Sequence, residues 1–256
     1  VVVAQRGTRA ETENTLEALG LAIGARADAV SVDVRVTADG HPVLMRDAEI
    51  SHTTDGSGFV HEMTLGELRA VRVPLRSGGT AQIPHLVEAL RMLSGMIAVN
   101  IEIRNLPGDP GFDGGHELAI GGVLRALDET SFAGGVLISS FSPFAIGRAK
   151  ALAPHLSTAV RVVPDAGPVA GWAFASEHQH PWVLATAASV VDAGSGFPGL
   201  VHASATRLGV WGSDDPGIAA GLVRRGVDAI VTDDPAPVVA ALRGSVGAPQ
   251  PGRGAA

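Results

Sequence analysis

Apolar and polar positions alternate with a period of two at several points along the chain, and the clearest case is residues 27 to 47, ADAVSVDVRVTADGHPVLMRD. Val30, Val32, Val34 and Val36 fall on one face of a predicted strand, while Ser31, Asp33 and Arg35 share the other. Asp39-Gly40 is a turn signal, after which His41-Pro42-Val43-Leu44-Met45 rebuilds a short buried strand that delivers Arg46 and Asp47 at its end. The run MIAVNIEIR, residues 96 to 104, repeats the pattern, with Asn100, Glu102 and Arg104 on one side and Ile101 and Ile103 on the other. Further strands are predicted in VVVA leading to Gln5-Arg6-Gly7, in GGVLISSF over 134–141, in STAVRVV over 157–163, in a segment ending at Trp211, and in GVDAIVTDD ending at Thr232-Asp233.

Between these strands the period changes to that of a helix. Leu16, Leu19, Ala22 and Ile23 recur at spacings of three and four, with Thr12 or Asn14 available as the cap. Thr64 with Glu67 forms a capping box that opens a short helix through Val71. Helices are also predicted over 86–93, 117–129, 143–153 and 216–225, with a short last one through Leu242. Residues 48 to 62 are polar and Gly-containing, long for a connector, and are expected to cover a site. From 165 to 205 no period is clear and no element is assigned. Strand ends therefore fall near 5, 33, 46, 102, 140, 163, 211 and 233, which predicts an α/β fold, a (β/α)8 TIM barrel, as one unit over residues 1–243. The tail 244–256, GSVGAPQPGRGAA in its setting, has the composition of a disordered end. A doubly wound sheet is the competing fold, but neither G-x-G-x-x-G nor G-x-x-x-x-G-K follows the first strand.

Composition narrows the chemistry. Aromatic residues make up only 4% of the 256 positions, so the core must be built from Ala, Val, Leu and Ile, as parallel strands covered by helices allow. The net charge of -7 argues against nucleic acid as a partner and confines any basic feature to a local pocket. The absence of cysteine excludes disulfides, thiolate metal sites and a cysteine nucleophile. No run of about 18 apolar residues could span a bilayer, and the start lacks a signal-peptide pattern, so a cytoplasmic location is favoured over a mature secreted chain. The oligomeric state is not legible.

At the C-terminal ends of barrel strands, where sites of this fold lie, the polar groups are Gln5, Arg6, Asp33, Arg35, Arg46, Asp47, Glu102, Arg104, Ser140, Trp211 and Asp233. Arginines can present planar forks to an anion, and this set expects a small anionic partner such as a phosphate or carboxylate. Gln5, Arg6, Asp33, Arg46 and Glu102 are the candidate catalytic group, with Arg35, Arg104, Ser140, Trp211 and Asp233 as candidate substrate contacts. Asp47 and Asp233 could instead hold loops through backbone N–H groups, and Glu11 and Glu13 could serve the start of a helix. His52 and His61 lie on the long loop, where displaced acid or base chemistry or plain solvent exposure are both open.

The segments Gln5-Arg6-Gly7, Glu13-Asn14-Thr15, VSVDVRVTADGHPVLMRDAEISHTTDGSG, NIEIR, SSF, VWGSD and GVDAIVTDDP resemble, in order, the motifs of the glycerophosphodiester phosphodiesterases. The resemblance implies a TIM barrel in which three carboxylates hold a calcium or magnesium ion on the phosphate while two histidines act as acid and base. By this likeness Ser31, Asp33 and Glu102 occupy the carboxylate positions, and Gln5 and Arg46 occupy the histidine positions. Glutamine does not titrate and arginine does not release its proton near pH 7, so neither can run that acid–base chemistry. Asp33 and Glu102 are left as the ligands of a weakened or absent Mg2+ or Ca2+ site. The expectation is a divergent member that acts on, or only binds, a phosphate-bearing or other anionic small molecule; a repurposed lyase, isomerase or cyclase is the alternative.

Overall fold

The computed structural model of the chain describes residues 1–244. Eight parallel strands close on themselves: β1 Val2–Gln5, β2 Ala29–Val36, β3 Ala98–Ile103, β4 Val136–Ser140, β5 Ser157–Arg161, β6 Trp182–Thr186, β7 Arg207–Trp211 and β8 Ala229–Thr232. Strands adjacent in sequence are adjacent in the ring, and β1 pairs with both β2 and β8. This is the expected (β/α)8 barrel.

Two of the strand expectations need correction. The segment predicted as the third barrel strand, Pro42–Leu44, runs antiparallel to β2, setting Leu44 opposite Val34, Val43 opposite Arg35 and Pro42 opposite Val36. The reason is the Asp39-Gly40 turn: a parallel partner needs a crossover of roughly a dozen residues or more, and the turn leaves room only for a hairpin. The missing strand is β6, inside the stretch to which no element was assigned, which also holds helices Pro168–Glu177, Ala187–Asp192 and Phe197–Ala203. Its end is hidden in sequence because Thr186 is both the last strand residue and the cap of the next helix, its side chain accepting from the Ser189 N–H. One strand counted too many and one too few leave the total at eight.

Paired residues on neighbouring parallel strands point to the same side, so the register assigns the barrel interior. Asp33 pairs with Glu102, Glu102 with Ser139, Ser139 with Ala159, and Arg161 with Leu184. The opposite faces carry Val30, Val32, Val34, Ile101, Ile103 and Ile138, all buried in one core with Leu86, Leu90, Ile120 and Val123 from helices Leu86–Leu93 and Leu118–Thr130. A fully buried Leu or Ile contributes roughly 2 kcal/mol, and this outer layer, not the polar interior, holds the barrel together.

The first helix, Leu16–Gly24, is capped by Thr15, whose Oγ accepts from Ala18 N, and not by Thr12 or Asn14. Thr12 donates to the Pro74 carbonyl, and Asn14 turns toward β2. The Thr64–Glu67 capping box forms as read, on a helix that ends at Ala70. Residues 48–62 contain two single 3-10 turns, Ile50–His52 and Val60–Glu62, anchored by Ile50 and Val60 in a small core with Val43, Met45, Leu68 and Ile83. The last helix is Pro235–Gly244, and the rest of the predicted tail, 245–256, lies outside the described residues. Among the described residues no helix is long and apolar enough to cross a membrane.

Candidate functional site

The site begins where β1 ends. Arg6 adopts φ 53, a conformation a non-glycine residue holds only when its surroundings fix it. Its N–H donates to Ser31 O and its carbonyl accepts from Asn14 N. Gly7 follows because the first helix lies against it: a Cβ there would sit 2.6 Å from backbone carbon of Ala18. The Arg6 guanidinium is thereby aimed into the barrel mouth, 2.9 Å from Glu13, 3.4 Å from Asp233 and 4.0 Å from Asp33. Burial works to lower the Arg6 pKa, but Glu13, Asp33, Asp233 and Glu102 outweigh it and hold it above its ordinary value. Glu13 thus serves Arg6, while Glu11 accepts backbone N–H groups from Thr12, Arg76 and Ser77.

Asp33 and Glu102 lie side by side on β2 and β3, both buried. Asn14 clamps Asp33 from both ends, donating Nδ2 to Asp33 Oδ2 and accepting the Asp33 N–H at Oδ1, each at 3.1 Å. Burial first, and then the charge of Glu102, push the Asp33 carboxyl up to about 6, against the opposing pull of Arg104, Arg6 and the Asn14 hydrogen bond. Glu102 is held between two guanidiniums, with Arg104 Nη1 at 2.9 Å from one oxygen and Arg161 Nη1 at 3.0 Å from the other. Burial works to lower the Arg104 pKa, and Glu102, Asp33 and Asp109 together leave it raised. Arg161 is as buried as its partner, and its guanidinium carbon lies 5.0 Å from the Phe141 ring and 5.2 Å from the Trp211 ring, which meet edge to face.

These groups line a cleft of about 430 Å³ at the C-terminal mouth, together with Gln5, Arg46, Asp214 and Asp233. Of the strand-end residues named from sequence, all line it except Arg35, Asp47 and Ser140. Arg35 is on the inward face of β2 as read, but its guanidinium donates to the carbonyls of Arg46 and Arg104 and to Asp109, joining the hairpin to the loop after β3. It is a brace for the mouth, not a contact in the cleft. Ser140 is one residue out of register: it faces away from the interior, its Oγ donating to Ile103 O and accepting from Ser142 N. Its neighbour Ser139 is the inward residue, and its buried Oγ has no partner among the described residues. Among the described residues Asp47 takes no backbone N–H group; it faces His52 Nδ1 at 3.0 Å and Arg46 Nε at 3.8 Å.

Arg161 escaped the sequence reading. Its signal was present in the alternation of Ser157, Ala159 and Arg161 along a short apolar strand, which sets the arginine in the interior register. Placing the strand end at 163 instead of at Arg161 hid it.

The residues do not fit a divalent metal. A hard cation of the calcium type asks for about six to eight oxygens, several of them charged. Glu102 offers both oxygens to arginines, Asp33 Oδ2 accepts from Asn14 and lies by Arg6, and Ser31 Oγ accepts from Asn100 Nδ2 at 2.8 Å. Among the described residues no group of three or more His, Asp or Glu is placed to hold a metal ion.

Comparison with known proteins agrees with the barrel frame. The chain is 29% identical over 252 residues to a glycerophosphodiester phosphodiesterase of Caldanaerobacter subterraneus subsp. tengcongensis, covering 95% of this chain and 98% of that protein. A phosphodiesterase of Oleispira antarctica, solved in complex with the product sn-glycerol-3-phosphate, superposes with a TM-score of 0.83 at 25% identity, over 94% of this chain and 96% of the other. The glycerophosphodiester phosphodiesterase of Agrobacterium tumefaciens shares the fold with a TM-score of 0.76 at 23% identity, over 93% and 98% of the two chains. The pattern of the glycerophosphoryl diester phosphodiesterase family matches residues 6–237, and the chain belongs to that family.

Proposed function

We propose that this chain binds a small phosphate-bearing molecule at the mouth of its barrel, with guanidinium groups supplying the positive charge that a divalent ion supplies elsewhere. The observation that carries the reading is the arrangement of Arg6, Arg104 and Arg161 around Asp33 and Glu102. The side chains of Arg6 and Arg104 are 14% and 17% exposed, while those of Asp33 and Glu102 are only 5% and 3% exposed. Arg6 and Arg104 are thus more open than Asp33 and Glu102, and an incoming anion meets these cations before the two buried carboxylates, while Glu13 and Asp233 flank Arg6 nearer the rim. Across the cleft, Asp233 and Asp214 are more open than the buried pair and suit the hydroxyl groups of a polyol, which donate to carboxylate oxygens. Trp211 and Phe141 give the wall between them an apolar surface. The complex of the Oleispira antarctica phosphodiesterase with sn-glycerol-3-phosphate supports a ligand of this class.

The test is calorimetric titration of sn-glycerol-3-phosphate with the protein in chelator and again in excess magnesium or calcium. The same dissociation constant is expected in each, weakened about tenfold or more by Arg104→Ala, since a charge-assisted hydrogen bond contributes about 1.5–3 kcal/mol. Binding that requires the metal, or micromolar binding of the metal itself, would overturn the proposal.

A further inference from the structure

Gln5 and Arg46 carry no proton chemistry near neutral pH, yet one imidazole beside the same mouth is paired with a carboxylate. His52 Nδ1 lies 3.0 Å from Asp47 Oδ2. A carboxylate there can only accept, so the proton of a neutral ring stays on Nδ1 and the lone pair on Nε2 is left available. No partner of Nε2 is found among the described residues. The short turn Ile50–His52 fixes the ring's backbone, since Ile50 is fully buried and its N–H donates to Gly58 O.

Position is the second observation. His52 lines a cleft of about 490 Å³ that shares Gln5, Arg6 and Asp233 with the arginine cleft, so the two are halves of one continuous mouth. Asp47 pairs with Arg46, which lines the first cleft, at 3.8 Å, and with His52, which lines the second, at 3.0 Å. A phosphate held by Arg6 therefore has the arginine floor on one side and the imidazole's cleft on the other, where a second ester substituent would lie.

We propose that His52, oriented by Asp47, is the acid–base group of this mouth and acts on a phosphodiester. The inference rests on the reading that a phosphate ester binds the arginine cleft. In the step, a water oxygen bonds to phosphorus from the side opposite the leaving group and releases a proton to solvent, while the bond from phosphorus to the leaving alcohol oxygen breaks as imidazolium Nε2 gives that oxygen its proton. Water is consumed, a phosphomonoester and an alcohol are formed, and His52 regains its proton from solvent. Asp47 is a positioning residue: it holds the ring and offsets the imidazolium charge.

The experiment follows hydrolysis of sn-glycero-3-phosphocholine by the full chain, the His52→Ala and Asp47→Asn variants, and His61→Ala as a control. Binding of sn-glycerol-3-phosphate is measured in parallel. His52→Ala should lower kcat by about 10²-fold or more, keep the product's binding constant, and regain part of its rate with added imidazole, because the site is open to solvent. Asp47→Asn should fall less, about tenfold, and His61→Ala should stay within twofold of the unaltered chain. Absence of turnover in the unaltered chain, turnover in His52→Ala within threefold of it, loss without imidazole rescue, or loss of product binding in His52→Ala would each overturn the role given to His52. In the first of these, retained binding of sn-glycerol-3-phosphate would leave the anion-site reading standing, whereas failure of that binding in every variant would remove both.

Discussion

Two clusters of arginine and carboxylate share one barrel mouth and differ in depth. On the floor, Glu102 and Arg161 are each 3% exposed and Arg104 completes the group, whereas at the rim Arg46 and Asp47 are 45% and 37% exposed and lie 3.8 Å apart. The floor cluster is fixed: Glu102 and Arg161 are withdrawn from solvent, so their charges depend on one another and on Arg104. The rim pair is loose, weakly coupled through solvent and free to meet a ligand or a second partner such as His52. A barrel mouth built this way separates a permanent electrostatic setting from the groups that can move charge.

The largest effect should come from breaking the floor. Glu102→Ala leaves Arg104 and Arg161 without their shared counter-charge and should cost about 3–5 kcal/mol in denaturant unfolding, whereas Arg46→Ala at the rim should change stability by less than about 0.5 kcal/mol. Equal effects from the two would erase the distinction between the clusters.

A somewhat smaller effect tests the buried carboxylate. Asp33 titrates in the folded chain at about 6 against an ordinary value of 3.8, so the folded state holds the proton more tightly than the unfolded one. The sign follows: no penalty applies below pH 4, the penalty grows as pH rises through this interval, and it is complete above about pH 6. Its size is about 3 kcal/mol as an order of magnitude. Unfolding measured from pH 4 to 7 should therefore show Asp33→Asn gaining on the unaltered chain by roughly that amount. A gap that stays constant or shrinks with rising pH would contradict the assigned environment.

The frame of this mouth was legible in the sequence because alternation and register carry it. Val30 to Val36 and the Asn100, Glu102, Arg104 series fix two strands and their inward faces without any contact information. What was not legible depended on pairing direction or on phase. Pro42–Leu44 has the composition of a barrel strand, and only the length of the Asp39-Gly40 connection marks it as a hairpin. Trp182–Thr186 passes into a helix with no polar break, so its period never declares itself. Ser140 and Ser139 differ by one step, which in a strand is the whole difference between packing layer and cleft. Arg35 shows a further limit: its face was right, but its long side chain reaches backbone carbonyls outside the cleft. Arg161 became visible as a site residue only when its register neighbours placed it against Glu102.

The measurement that bears most directly on the central claim is a crystal structure of the chain grown with sn-glycerol-3-phosphate and millimolar magnesium or calcium. Phosphate oxygens are expected within hydrogen-bonding distance of the Arg6 and Arg104 guanidiniums, with Glu102 still paired to Arg104 and Arg161. A cation ligated jointly by Asp33 and Glu102, with the arginines displaced from it, would contradict the account.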